Sequence, residues 1–483
     1  MVIDALKYQI LQQFGFVPTE EQGQALDAFA RFLTDRDPDA VMILRGSAGT
    51  GKTSLSGAIV RTLKAIRQKV MLLAPTGRAA KVFSLNSGCP AYTIHRRIYR
   101  EKSFAGVDGQ FNLNDNLFTD TLFMVDEASM ISNLGLGGGN FGSGCLLDDL
   151  VRFVYQGHND RLMLIGDKAQ LPPVGEEESP ALNRMMLEGY GLKVYECDLN
   201  EVLRQSQESG ILYNATVIRQ MITHDDITQL PLIRFKGFAD IVMMPGNELV
   251  ESLANSYYRV GQDETMVITR SNKRANIYNN GIRNMVLDRE EELSCGDMLM
   301  IVKNNYFWTE KERNEAKEAL NAIPPFLANG DRAKVLRVSR HMELYGFRFA
   351  TLLLQFPDYD NYEMSVTALL DTLQSEAPAL THEQQEQLFH GVEEDYQDVP
   401  LKADRMKAIR GDQYFNALQV KYAYAITCHK AQGGQWEHVY VDQGYMTDDM
   451  LTPDYIHWLY TAFTRAKGKL FLVNWPKTQT EQA

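Results

Sequence analysis

Gly46-Ser47-Ala48-Gly49-Thr50-Gly51-Lys52-Thr53 decides how this chain folds around its chemistry. The residues before it, Val41-Met42-Ile43-Leu44, are apolar and partly β-branched, and predict a short buried strand. Those after it, Ser54 to Arg67, carry apolar side chains at helical spacing. A strand, a glycine loop and a helix N-terminus together form an anion site, because backbone N–H groups close on phosphate oxygens and the helix dipole favours negative charge. The spacing is that of a nucleoside-triphosphate loop. Lys52 is expected to reach the β- and γ-phosphates and Thr53 to ligate Mg²⁺. The loop names a fuel and leaves its use open.

A second apolar run, Leu122-Phe123-Met124-Val125, delivers Asp126 and Glu127 side by side. A triphosphatase needs one carboxylate for the metal and another for the attacking water. Asp126 is assigned to the metal and Glu127 to the water. Phosphoryl transfer benefits from a cation on the developing charge, and two arginines are candidates, the alternative for each being a surface ion pair. Arg204 lies in Leu199 to Gln205, and Arg465 in Tyr460 to Lys467.

Further strands are expected at Val70 to Ala74, Leu162 to Ile165 and Val194 to Cys197, with helical patterns between most of them. This alternation predicts an α/β fold with a parallel sheet covered on both faces. A second set runs through Met266 to Thr269, Gln419 to Ile426, His438 to Val441 and Lys469 to Val473. Between its members, Ala333 to Val338 and Arg348 to Gln355 read as strands of a small barrel, and Ala379 to Tyr396 as an acidic helix. The expected division is a first α/β domain at 1–200 and a second at 201–330 and 412–483, interrupted by an insertion at 331–411. Within the first, Ser103 to Asn116 holds an Asp-Gly turn signal and predicts a hairpin insertion at about 96–118. Asn133 to Gly144, rich in glycine, reads as a surface loop.

The chain has 483 residues, 45% hydrophobic, with formal net charge −13 and five scattered cysteines. That length implies several domains. The cysteines form no C-x-x-C pair, which argues against a zinc site, a disulfide framework or an iron–sulfur cluster. No apolar run reaches transmembrane length and no signal-peptide pattern opens the chain, so a cytoplasmic location and no membrane partner are expected. The acidic total argues against a broad basic surface for nucleic acid, but a narrow basic groove is compatible with it.

Taken in order, these segments resemble the motifs of superfamily 1 helicases, in the branch of RecD-type and Dda-type 5′-to-3′ DNA helicases. Thr19-Glu20-Glu21-Gln22 resembles the glutamine motif, in which Gln22 would read adenine and so select ATP. Gly46 to Thr53 resembles motif I, and Ala74 to Lys81 motif Ia, with Thr93 to Arg96 after it. Val125 to Met130 resembles motif II. Gly166 to Gly175 matches motif III, with Gln170 as the γ-phosphate sensor. Leu199 to Gln205 resembles motif IV, Ala425 to Gly433 motif V and Tyr460 to Lys467 motif VI.

The resemblance implies two RecA-like domains around an ATP cleft, with a Src-homology-3-like barrel inserted in the second. It implies nucleotide contacts from the loop residues Gly46, Ser47, Ala48, Gly49, Thr50 and Gly51 and from Gly433, and fingers from Arg204 and Arg465. It implies strand contacts from Thr76, Arg78, Lys81, His95, Ser271, Asn272, Thr427, His429 and Lys430. The hairpin would act as a separation pin, with Phe104 or Phe111 at its edge. Partners would be single-stranded DNA and duplex junctions, with DNA-repair or single-strand-binding proteins in company, and the chain acting as a monomer. A protein-stripping translocase, the motor of a nuclease complex and an RNA substrate are alternatives. The chain departs from the pattern after Gln432-Gly433, where Gly434-Gln435-Trp436 replaces the usual Ser-Glu-Phe. The glycine-rich loop after motif II also sets it apart from the telomere-type subgroup.

Overall fold

A computed structural model describes residues 2–104, 109–135, 142–201, 208–224, 227–316, 323–324 and 326–481. Strands of the first α/β domain are β1 (Ala40–Gly46), β2 (Lys69–Ala74) and β3 (Ala91–Thr93). They continue with β4 (Tyr99–Phe104), β5 (Gly109–Leu113), β6 (Thr121–Val125), β7 (Arg161–Gly166) and β8 (Lys193–Leu199). All but β4 and β5 make one parallel sheet in the order β3-β2-β6-β7-β1-β8. Met42 and Leu44 face one helical layer with Phe29, Leu55 and Ile59, while Val41 and Ile43 face the other with Phe123, Leu150 and Phe153. Burial on both faces is why β1 reads as an unbroken apolar run.

The second α/β domain has β9 (Ile241–Met244) and β10 (Thr265–Thr269). After the barrel strands β11 (Met298–Ile301), β12 (Arg332–Leu344), β13 (Phe347–Phe356), β14 (Tyr362–Leu369) and β15 (Leu418–Tyr422), it resumes with β16 (Ala425–Thr427), β17 (Trp436–Asp442) and β18 (Ala466–Val473). Its sheet order is β16-β10-β17-β18-β9, all parallel. Strands β11 to β15 close into a barrel. Barrel and second α/β domain share one hydrophobic core. The helix His382–Asp395 caps the barrel, packing Leu388, Phe389 and Val392 on Phe347, Phe349 and Leu369. Among the described residues no helix is long and apolar enough to cross a membrane.

Three features differ from the sequence expectation. The apolar run Gln419 to Ile426 is two strands: β15 closes the barrel, Ala423 and Tyr424 turn the chain, and β16 enters the parallel sheet of the second α/β domain. Burial in both sheets keeps the run apolar, so hydropathy alone shows no break. The barrel also takes β11 and β15 from outside 331–411. Strands β3 and β9, with 3 and 4 residues, are too short to show a period.

Candidate functional site

Strand register brings the chemistry to one edge. Arg45 on β1 pairs with Gly166 on β7, and Gly46 with Leu199 on β8. The loops after β1, β6, β7 and β8 therefore emerge together at the carboxyl ends of the parallel strands, where such sheets place their ligands. Gly49 and Gly51 hold φ of 77° and 81°, a left-handed conformation that favours glycine. At Gly46 an added Cβ would stand 2.6 Å from Lys52 Cγ. The Lys52 ammonium donates to the Gly46 carbonyl, and to Ser47 O at 3.2 Å, folding back over its own loop. Thr53, exposed, lies in the first turn of the helix Lys52–Ala65. Gln22 is buried; its Nε2 donates to Thr50 O at 2.9 Å and its Oε1 accepts from Thr19 N at 3.0 Å. The amide braces the phosphate loop and caps its own helix, which leaves one N–H and one lone pair for a base.

Asp126 Oδ1 accepts from Glu127 N at 2.9 Å. Burial, followed by the Glu127 charge, pushes the Asp126 carboxyl up to about 7 against the pull of Lys52. Two adjacent, half-buried carboxylates favour a cation between them. The donors are hard oxygens from Asp126, Glu127 and Thr53, and the described residues offer no cluster of three or more His, Cys, Asp or Glu for a metal. Mg²⁺ fits that set, because it keeps waters and binds through one or two protein oxygens plus phosphate. Glu127 holds a left-handed φ of 52°, a cost that its neighbours must impose. Gln170, on the loop after β7, is buried with its Oε1 lacking a partner among the described residues.

The second α/β domain closes directly on this loop. The Tyr460 hydroxyl accepts from Ala48 N at 3.0 Å and donates to Asp167 Oδ2 at 2.6 Å. Next to it, Thr461 Oγ1 accepts from Leu171 N at 2.8 Å, and Gln432 Nε2 donates to Leu171 O at 2.7 Å. Arg219, on the helix Gly210–Thr223, donates to Ser47 Oγ and, at 3.2 Å, to Asn200 O. A pocket of about 520 Å³ opens alongside, lined by Gly46, Ser47, Asp167, Arg219 and His457 among others. Arg465 is only 2% exposed and donates to Thr461 O, Gly434 O and Thr464 Oγ1, all within its own domain. Arg204 lies outside the described residues.

Of the residues expected to hold a strand, Thr76, Arg78 and Lys430 come together around one small cavity. Thr76 caps the helix Gly77–Ser87. Arg78 donates to Gln435 O at 2.8 Å and stacks 4.4 Å from the Trp436 ring. Lys81 donates to Pro357 O on the barrel at 2.9 Å. His95 packs on Tyr99, and burial pushes its pKa down to about 4. Gly433, at φ 72°, sits so close to motif Ia that a Cβ would lie 3.1 Å from Ala79 Cβ and 3.2 Å from Thr76 Oγ1. That places Gly433 with the strand residues, next to Thr76. Thr427 precedes the short helix Cys428–Ala431, which carries His429 and Lys430. Burial lowers the pKa of His429, and pushes that of Lys430 down to about 8 beside Asn329 Oδ1 at 2.5 Å. Ser271 caps the helix Asn272–Gly281, and Asn272 donates to Glu376 O at 3.2 Å.

Comparison with known families finds two separate matched regions along the chain. The model of an AAA domain matches residues 19–220, and that of the UvrD-like helicase C-terminal domain matches 422–473. The two matches follow one another in the order of the motifs, an AAA domain first and a helicase C-terminal domain after it. An ATP-dependent RecD2 DNA helicase of Deinococcus radiodurans is 30% identical over 157 residues, 32% of this chain and 18% of the relative. An uncharacterised protein of Methanocaldococcus jannaschii is 33% identical over 171 residues, 33% of this chain and 14% of that one. The matched regions span under a fifth of the length of these two relatives. A Pif1 helicase from Bacteroides, solved with ADP-AlF3 and ssDNA, aligns over 97% of this chain and 95% of its own, at 14% identity and a TM-score of 0.46.

Arg219 and Tyr460 touch the phosphate loop, and Asp167 holds Tyr460, without having been singled out from sequence. Asp167 and Tyr460 stand inside motifs III and VI, so the motifs themselves carried the signal. Arg219 had only the weaker one of a lone cation on a helix that buries Ile211, Ala215 and Ile218.

Proposed function

We propose that the chain is an ATP-hydrolysing DNA helicase that translocates 5′ to 3′ along single strands and separates duplex ahead of it. The observation that carries this reading is the direct contact of the second motor domain with the phosphate loop, through Tyr460 on Ala48 and Arg219 on Ser47. A cleft with a phosphate loop on one wall and these groups on the other changes shape with the nucleotide's charge state. Bound ATP would supply the reactive phosphoryl group and Mg²⁺ the countercharge.

The loop N–H groups and Lys52 would hold the phosphates, and Asp126 with Thr53 would hold the metal. Glu127 would take the proton of the attacking water, and the unpaired Gln170 Oε1 would accept a hydrogen bond from that water. Arg219 adds a cation from the moving domain, where developing charge needs one. Arg204 and Arg465 are retained as fingers, Arg465 after it leaves its present partners. Opening and closing of the cleft would then alternate two grips on the strand, one at Thr76, Arg78, Lys81 and His95, the other at Ser271, Asn272, Thr427, His429 and Lys430.

Strand separation on duplexes with 5′ or 3′ tails, in DNA and in RNA, tests the proposal, with Lys52→Ala as the inactive control. Unwinding from 5′ tails of DNA is expected. Unwinding only from 3′ tails would overturn the polarity, and ATPase without unwinding would favour a translocase that strips proteins.

A further inference from the structure

A second, smaller cavity lies where the first motor domain, the second motor domain and the barrel meet. Thr76 and Arg78 line it from the first, Arg332 from the barrel, and Lys430 and Trp436 from the second. Its volume is about 30 Å³, room for a few oxygen-sized atoms and not for a base. The Trp436 ring is 2% exposed and is flanked by two guanidinium groups, Arg78 at 4.4 Å and Arg332 at 5.8 Å.

Three donors here are buried without a hydrogen-bond partner among the described residues: Arg78 Nη1, Arg332 Nε and Trp436 Nε1. The same side chains are anchored elsewhere, Arg78 Nη2 on Gln435 O and Arg332 Nη1 on Asp263 O at 2.8 Å. The orphaned donors therefore belong to side chains with fixed orientation. Burial and the neighbouring Arg332 charge push the Arg78 pKa down to about 10, with Asp358, Glu264 and Asp263 acting only as more distant charges. Two buried like charges and three unmet donors are costly unless an anion joins them. Stacking on Trp436 offsets part of that cost. A water could accept the hydrogen bonds but would leave the charge uncompensated.

The departure from the RecD-type pattern at Gly434-Gln435-Trp436 makes sense here. A Cβ at Gly434 would stand 2.6 Å from Trp436 Cη2 and 3.1 Å from Arg78 Nε, so glycine lets the indole slide under the guanidinium. Phenylalanine in place of Trp436 would have no N–H to offer.

We propose that this cavity binds one phosphate of a nucleic-acid strand through Arg78, Arg332 and the Trp436 indole N–H. The chemistry recognised is a tetrahedral phosphate oxyanion, whether a phosphodiester or the free ion. Since the barrel supplies Arg332 and the two motor domains supply Arg78 and Trp436, the grip is complete only when all three are together. This rests on the proposed reading of the chain as a single-strand motor.

Two measurements on the full-length chain test it. In the first, inorganic phosphate is titrated while the melting temperature is followed, for wild type and Arg332→Gln. The phosphate loop contributes equally to both, so a smaller shift in the variant reports the cavity. In the second, oligothymidylate binding is measured across a salt series. Arg332→Gln is expected to lower the log–log slope by about 0.7, one phosphate contact on a single strand. Trp436→Phe is expected to weaken binding several-fold with the slope unchanged, because the lost donor is neutral. If Arg332→Gln does not stay folded, Trp436→Phe carries the second test alone. Wild-type affinity and slope in both variants, with an unchanged phosphate shift, would overturn the proposal. A wild-type chain that binds no single strand, but loses its phosphate shift in Arg332→Gln, would instead overturn the function proposed above and leave the anion site standing.

Discussion

Glu127 combines a left-handed backbone with a carboxylate beside the phosphate loop. Strain of this kind, of order 1–3 kcal/mol, persists where the surroundings impose it. Glu127→Gln keeps the volume and removes the base. Its ATP turnover is expected to fall by about 100-fold or more while nucleotide affinity holds within a few-fold, as read by single-turnover hydrolysis and equilibrium binding. Asp331, at the head of β12, makes a stability prediction. It is 1% exposed, its Oδ2 accepts from Ala328 N and the Tyr359 hydroxyl, both at 2.7 Å, and its Oδ1 has no partner among the described residues. Burial raises its pKa from 3.8 to about 7. A raised carboxyl pKa means that the folded state binds the proton more tightly than the unfolded one. Stability from this group is fully present below about 4 and lost as pH rises to about 7. Asp331→Asn is expected to gain roughly 2–4 kcal/mol over wild type at pH 8, with no gain at pH 4, by denaturant unfolding. Gln22 and Thr53 could be named from sequence because a motif specifies an identity at a position. What Gln22 does with its amide, bracing Thr50 O, depends on a neighbour 28 residues away and could not be read.

Helices and strands show where hydropathy suffices. Strands β1, β6 and β7 are covered on both faces and read as apolar runs, so their expected spans hold to within a residue or two. The run Gln419 to Ile426 failed because two strands in two different sheets are equally buried. The hairpin was legible from its Asp-Gly signal, and β4 and β5 pair antiparallel. Its tip at 105–108 and the side chains of Phe104 and Phe111 lie outside the described residues. Deleting 103–116 is expected to abolish unwinding and to spare single-strand-stimulated ATPase; equal loss of both would remove its role as a pin. On the helix Pro453–Phe463, Tyr460 spans from Ala48 to Asp167. Tyr460→Phe keeps the packing and removes both bonds. A three- to tenfold loss of single-strand-stimulated ATPase is expected, about 1 kcal/mol in coupling, with the basal rate less affected. An unchanged stimulated rate would show that the hydroxyl does not link nucleotide to motion.

Across the full chain, net charge of −13 leaves little broad electrostatic attraction for nucleic acid. Contacts confined to one groove should give a salt slope well short of the value near −10 found for a large basic repressor, measured by titration against oligothymidylate. A slope of that size would mean an extended basic surface that the composition does not provide. The ordered motifs were enough to establish two parallel-sheet domains, the phosphate loop and the pair Asp126-Glu127, because glycine conformations, apolar periodicity and adjacent carboxylates are local requirements written in consecutive residues. The tertiary structure alone decided which groups share a space: Arg219 on Ser47, Tyr460 between Ala48 and Asp167, Arg465 turned into its own domain, and Arg78 with Arg332 on Trp436. Those pairings join residues up to 412 positions apart. They follow from domain packing and burial, which no local pattern encodes.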